Sequence, residues 1–198
     1  MSKLTFAAAI QNIQQAGRGH LGALETVLRD LFEGKNLEAV AGSGMAGTGT
    51  IVKSSVERVG DIITTSILVD LTGLSSSAAA DIIGVEGAAN CHLGQITKAR
   101  NGTILSGKMA CLEAPATGEP DIDLYSAEES TGVEDAAITG LVETAVLAAA
   151  ADWTIDMYKT FTGVPAADEY LYLVGSGGGT DAVYTGGKFL ITLYGYDA

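Results

Sequence analysis

Several residue types that most chemistry depends on are scarce in this chain. It has 2 cysteines, 2 histidines, 3 prolines and 1 tryptophan, and 11 basic side chains against 24 acidic ones. Cys91 and Cys111 permit at most one internal disulfide and cannot supply a four-cysteine zinc site, so they are expected as small buried hydrophobes. With 3 prolines against 26 glycines, the chain should turn often and contain no stiff proline linker. The shortage of lysine and arginine leaves a net charge of −13. Such a surface repels phosphate backbones and anionic membranes, which excludes nucleic acid and lipid as expected partners. No apolar run approaches the roughly 18 residues of a membrane span. The opening "MSKLTFAAAIQNIQQ" has an apolar stretch, but Gln11, Asn12, Gln14 and Gln15 stand where a leader would be cleaved. A soluble protein made in the cytoplasm is expected.

What remains is a folding composition, 47% hydrophobic and 18% charged. A chain of 198 residues defaults to one core. Its charge is unevenly placed. Residues 1–42 carry 4 basic and 4 acidic side chains, so 7 basic and 20 acidic ones fall in the rest. The pattern divides the chain into a helical arm (1–42), a glycine-rich hinge (43–49) and an antiparallel, jelly-roll-like β-sandwich (50–198).

In the arm, Leu21, Leu24, Val27, Leu28 and Leu31 recur at intervals of three and four and form one apolar stripe, with Phe32 beside it. An earlier helix is expected from about Leu4 to Gln15, with "AGRGH" as the break. Helices this short are marginal alone, below about 12 to 15 residues, so the stripe must lean on something. It packs either on its own domain or on neighbouring subunits. Leu21, Leu24, Val27, Leu28, Leu31 and Phe32 are therefore the candidate assembly contacts.

From Thr50 the period changes to two. In "DIITTSILVDL", Ile63, Thr65, Ile67, Val69 and Leu71 share one face. Asn101-Gly102 lies between β-forming runs and predicts a type I′ hairpin turn. Further strands are expected at 121–126, 153–163, 169–174 and 188–196, about eight in all, which suits a jelly roll. "GLVETAVLAAAADW" is ambiguous: Ile138, Leu141, Val142, Ala145, Val146 and Ala149 fit a helix stripe, and "ETAVLAA" equally fits a strand.

Motifs for chemistry are weak. Gly42-x-Gly44-x-x-Gly47 has dinucleotide-loop spacing but follows a helix and enters strands, the reverse of the required context. The closing "GSGGGTDAVYTGGK" lacks the Gly-Lys-Ser/Thr and helix of a phosphate loop, since Lys188 leads into "FLITLYGY", and it reads as a mobile connection between strands. Acidic residues crowd 113–135, where Asp121 and Asp123 share one side of a strand. Two such carboxylates suit Ca²⁺ or a glycosidase pair, but no EF-hand spacing is present and a solvated acidic edge explains them. His20 lies in a glycine break and His92 beside Cys91, with no third group fixed. Asn101-Gly102-Thr103 is a glycosylation triplet better explained as a turn. Tyr170 and Tyr172 share a side of their strand, as do Tyr194 and Tyr196, forming core rows or a contact face. No catalytic residue, cofactor or metal is expected.

"SSVERVGDIITTSILVDLTGL", "DIIGVEGAANCHLGQITKARNGTILSG", "DIDLYSAEESTGV", "PAADEYLYLVGSGGG" and the ending "GGKFLITLYGYDA" together resemble structural proteins of tailed bacteriophages, those on the capsid exterior as decoration or cement proteins. The resemblance covers residues 49–198. It implies a β-sandwich virion protein without enzymatic activity, bound to the major capsid protein on the outer shell and stabilising it. It does not separate a capsid decoration from a head or tail fibre module that binds host-surface glycans. Sandwich subunits on icosahedral shells sit at three-fold positions, so a homotrimer is expected.

Overall fold

The computed structural model describes residues 40–149, 151–177 and 181–197. All of them belong to one compact unit that begins at Glu38. Residues 1–39 of the expected arm, with its earlier helix, therefore lie outside the described residues.

The described chain is mainly β. Its strands are β1 (Ile51–Val59), β2 (Ile62–Asp70), β3 (Ser75–Ser76), β4 (Gly94–Gln95), β5 (Thr103–Ala116), β6 (Ile122–Ala127), β7 (Glu143–Leu147), β8 (Tyr158–Thr160), β9 (Tyr170–Gly175), β10 (Ala182–Val183) and β11 (Gly186–Tyr196). One helical turn, α1, spans Lys98–Asn101, and 3-10 turns span Ser43–Met45 and Ile138–Gly140. A five-stranded sheet has the order β1-β2-β11-β5-β8, a four-stranded sheet the order β4-β9-β6-β7, and β10 pairs with β3. All pairings are antiparallel.

Period two explains β2. Ile63, Ile67 and Val69 are wholly buried while Thr64, Ser66 and Leu68 on the other face are half-exposed. Phe189, Ile191 and Leu193 of β11 and Met109 and Cys111 of β5 join them in the same core as Ile122, Leu124, Leu171 and Leu173 of the four-stranded sheet. Trp153 ties the sheets together. Its Nε1 donates to the Ile122 carbonyl at 2.8 Å, and its ring meets Phe189 edge-on at 5.3 Å. β9 is buried along nearly its whole length; β6 pairs along one edge, and β4 together with the segment after β3, through the bridge Ile82↔Val174, pairs along the other.

Several expectations change. The tight hairpin is not at Asn101-Gly102 but at Gly60-Asp61, where Val59 pairs with Ile62 and Gly60 has φ +64°, the geometry of a turn with glycine in its first central position. Asn101 instead ends α1, and Gly102 (φ +69°, ψ −163°) turns the chain into β5. Within the ambiguous 136–152 stretch, Glu143–Leu147 form a strand, β7, paired with β6, where a helix stripe is the alternative. The segment 43–49, expected as a hinge, packs on the sandwich: the Gly42 and Gly44 amides donate to the His92 and Asn90 carbonyls at 2.8 and 3.2 Å, and Met45 is buried. A side chain at Gly42 would meet the Asn90 carbonyl oxygen at 1.9 Å, so the glycine is there for close approach. Of the expected 153–163 strand only β8 forms, since Trp153 turns inward.

Candidate functional site: the outer face and edge of the five-stranded sheet

The face of this sheet opposite the core is laid out in cross-strand rows. Val59, Ile62, Tyr196 and Thr103 form one end row. Next come Glu57, Thr64, Tyr194 and Ser106, then Ser55, Ser66, Thr192, Lys108 and Thr160. Lys53 and then the apolar Leu68, Leu190, Ala110 and Tyr158 form the fourth row, and Ile51, Asp70, Lys188 and Glu113 close the far end. Directly opposed side chains in such rows lie about 4.5–5.5 Å apart and interact pairwise. Aliphatic and tyrosine rows therefore flank a hydroxyl-rich centre. Val59, Ile62, Tyr158 and Tyr196 are exposed, Tyr158 by 68%. This face offers exposed contact area with hydroxyl groups for hydrogen bonds.

The charged end row is self-contained. Lys188 pairs with Asp70 at 3.3 Å and with Glu113. Burial acts to raise the Asp70 pKa, but hydrogen bonds from the Thr72 hydroxyl and amide, together with Lys188, outweigh it and hold the carboxyl below its usual range. Those two carboxylates likewise raise the pKa of Lys188. The lysine of the closing glycine run is thus committed to acidic partners, and the run leads into a strand as its sequence implied. Residues 178–180 lie outside the described residues, but Tyr184 after them is buried, its hydroxyl donating to the Glu119 carbonyl at 2.9 Å. The run contains an anchored core residue and is more than a connection.

β1 is the free edge of the sheet among the described residues, pairing only with β2. Ile51, Lys53, Ser55, Glu57 and Val59 all point outward and are exposed. Arg58 binds Asp197 and donates to the Ala99 carbonyl at 3.0 Å, pinning the end of the strand to α1 and to the chain terminus.

The other sequence candidates are dispersed. Leu21, Leu24, Val27, Leu28, Leu31, Phe32 and His20 lie outside the described residues. Cys91 and Cys111 are buried free thiols. Burial pushes the Cys91 thiol up to about 11 and its Sγ donates to the Ala88 carbonyl, so it carries no thiolate at neutral pH. His92 packs on Tyr170 at 4.8 Å between ring centres, its Nδ1 is buried without a partner among the described residues, and burial lowers its pKa. It makes no hydrogen bond to Cys91 that would form a nucleophile and base pair. Tyr172 is wholly buried, its hydroxyl donating to the Glu129 carbonyl, so Tyr170 and Tyr172 serve the core and Tyr194 and Tyr196 the outer face. Asp123 accepts the Ala149 amide, while Asp121 Oδ1 is buried without a partner and its pKa is raised by burial and by Asp123. Among the described residues no three His, Cys, Asp or Glu side chains are grouped to hold a metal. A depression of about 240 Å³ is lined by Glu128, Ala166, Ala167, Asp168 and Glu169. That is below the roughly 300 Å³ of the smallest usual ligand pockets. Glu169 is used there to accept from the Ser126 hydroxyl and the Ala166 amide. Among the described residues no helix is long and apolar enough to cross a membrane.

Comparison of the chain with protein-family models, with curated proteins and with solved structures finds no match. The functional reading therefore stands on the geometry and on the sequence resemblance. Sequence reasoning missed the β1 edge because "IVKSSVERV" puts charges and serines where an alternating strand would have apolar residues. The signal available was "VERVGDI", a glycine turn between two β-branched runs.

Proposed function

We propose that this chain is a structural protein of a tailed-bacteriophage virion, a decoration or cement protein without enzymatic activity that binds the major capsid protein on the outer shell and stabilises it as a homo-oligomer. The observation that carries the reading is strand order. Leaving aside β1 and the separate two-stranded pair of β10 and β3, one sheet reads β2-β11-β5-β8 and the other β4-β9-β6-β7. In chain order these are strands first, eighth, third, sixth and second, seventh, fourth, fifth. Successive strands change sheet at every step except β6 to β7. We read that order as the double Greek key of a jelly roll, an architecture that recurs in viral capsid and lectin domains. Fold alone does not imply function, so the resemblance to capsid-exterior proteins supplies the class and the exposed outer face supplies the means of adhesion.

Jelly rolls also serve as lectins, and the exposure of Tyr158 and Tyr196 on the outer face favours a second reading, a head or tail fibre module that binds host-surface glycans. One experiment separates the two. Tagged chain is added to heads stripped of it from the phage that encodes it, and the particles are imaged. Ordered density on the shell lattice and greater resistance of the heads to heat support decoration. Absence of lattice density together with glycan-array binding that Tyr158→Ala and Tyr196→Ala abolish establishes the fibre reading instead.

A further inference from the structure

The edge strand β1 is a self-complementary sequence. An antiparallel partner centred on Ser55 would place Ile51 opposite Val59, Val52 opposite Arg58, Lys53 opposite Glu57, Ser54 opposite Val56 and Ser55 opposite itself. On the outer face this sets an aliphatic pair at each end, an opposite-charge pair inside each end and a hydroxyl pair at the centre. All five outward residues are exposed, and neither Lys53 nor Glu57 is in an ion pair among the described residues. From the structure we infer that β1 is a docking edge for a second copy of this chain, through an isologous two-fold axis at Ser55 perpendicular to the sheet.

Three physical points carry this. First, a strand edge presents unpaired amides and carbonyls that template another strand, and charged side chains on the edge normally block such pairing. Here the charges discriminate among registers. Shifting the centre to residue 54 sets Ile51 against Glu57 and Lys53 against Ser55, and shifting it to 56 sets Lys53 against Val59, so only the Ser55 centre matches charge with charge and aliphatic with aliphatic. Second, the strand is regularly paired over all nine residues, with no register shift against β2, so its outer edge is continuous for about 30 Å. Third, a perpendicular two-fold keeps both outer faces on the same side. The two five-stranded sheets become one sheet whose tyrosine, hydroxyl and aliphatic rows form a single adhesive surface twice as wide. The pairing rests on the edge alone and not on the virion reading. It predicts a two-fold contact where the sequence suggested three-fold symmetry.

Charge swaps test the register. Lys53→Glu alone and Glu57→Lys alone each bring like charges together twice across the axis, so each should weaken dimer formation at least about tenfold in sedimentation velocity of the full chain. Because these sites are exposed, both variants should keep the wild-type circular dichroism, and their melting temperature should match that of the wild type at dilutions where the dimer has dissociated. The double variant Lys53→Glu/Glu57→Lys should restore the dimer. So should an equimolar mixture of the two single variants, since each strand of one then faces the opposite charges of the other. Ser55→Cys should cross-link to a covalent dimer under mild oxidation of the folded protein. A wild-type monomer overturns the proposal. So does any oligomer, trimer included, whose mass neither single variant alters or which the mixture fails to restore.

Discussion

Asn101 offers the sharpest test of how the sandwich is held together. The residue is wholly buried at the end of α1. Its side-chain carbonyl accepts the Thr97 amide at 2.9 Å, and its amide donates to the Thr65 hydroxyl at 2.8 Å. Thr65 lies on the core face of β2, so this one side chain closes α1 and fastens it to the sheet. Asn101→Ala leaves the Thr97 N–H and the Thr65 hydroxyl without partners, at roughly 1–3 kcal/mol for the buried hydroxyl and about 1 kcal/mol for the N–H of the half-buried Thr97. The sum is about 2–4 kcal/mol, and in a domain of this size each kcal/mol lowers the melting temperature by about 2–4 °C. Thermal unfolding followed by far-UV circular dichroism should show a fall of about 5–15 °C, with urea unfolding giving a lower midpoint at unchanged slope. Asn101→Asp separates lost hydrogen bonding from lost packing. It keeps the acceptor for Thr97, and the Thr65 hydroxyl can rotate to donate, but the carboxylate is buried. Its folded pKa is expected above the ordinary value near 3.9, so its stability is complete below that pH and is lost as pH rises through the folded pKa. The variant should approach wild type in acid and fall away towards neutrality. Gln95→Ala, which removes only a surface-side bond to the Asp168 carbonyl, should stay within about 0.5 kcal/mol. An Asn101→Ala protein melting within about 2 °C of wild type would refute the reasoning.

Further outcomes follow from the same geometry. Trp153→Ala removes the ring between the sheets and should cost about 3–5 kcal/mol by denaturant titration, whereas Trp153→Phe should lose only the bond to the Ile122 carbonyl, about 1–3 kcal/mol. The two thiols should resist a disulfide exchange reagent at pH 8 in the native protein and react fully in denaturant, because Cys91 is buried with its pKa near 11 and Cys111 is likewise buried with a raised pKa. Burial lowers the His92 pKa, so its contribution is complete above its ordinary 6.5 and is lost as pH falls; the melting temperature of wild type relative to His92→Phe should drop between pH 7.5 and pH 5. Asp121 has the opposite sign. Its raised pKa means stability is complete below the ordinary 3.8 and lost as pH rises, so Asp121→Asn should raise the melting temperature at pH 7 by more than at pH 4.

The parts of the fold that were legible are those where side-chain period reports burial directly. β2 alternates cleanly because one face is core and the other is not, and β6, β9 and β11 lie close to where their β-branched and aromatic runs predict. Asn-Gly at 101–102 misled because its statistics describe a backbone with positive φ at both residues, and here only Gly102 adopts one. Asn101 is present for its two-sided amide, a property that local propensity does not encode. The 136–152 stretch was ambiguous because alanine and valine fit both periods. Tertiary pairing decides it: Val146 and Leu147 are buried against β6, while Val142 is 58% exposed where a helix stripe would have turned it inward.

The strand order of the two sheets was least accessible, for a reason that bears on the site. Six of the seven steps between its principal strands cross from one sheet to the other, so neighbours in space are mostly distant in sequence. β11, the last strand, sits between β2 and β5, and it is β11 that completes the outer face by setting Leu190, Thr192, Tyr194 and Tyr196 between their partners. Its seat is narrow. A side chain at Gly195 would stand 1.9 Å from the Asn101 carbonyl oxygen, so the closing strand can pass α1 only as glycine. Gly195→Ala should therefore displace the end of β11 and with it Tyr196, costing about 1–3 kcal/mol by the usual measure of overpacking and more if the backbone cannot yield. The local nature of that strain supplies the check. Amide exchange should accelerate at Tyr196 and Asp197 and in α1, while Phe189 and Ile191 at the other end of the strand keep their protection. Uniform loss of protection along β11 would mean that the strand is seated by its core residues alone and that the α1 contact does not hold the outer face in register.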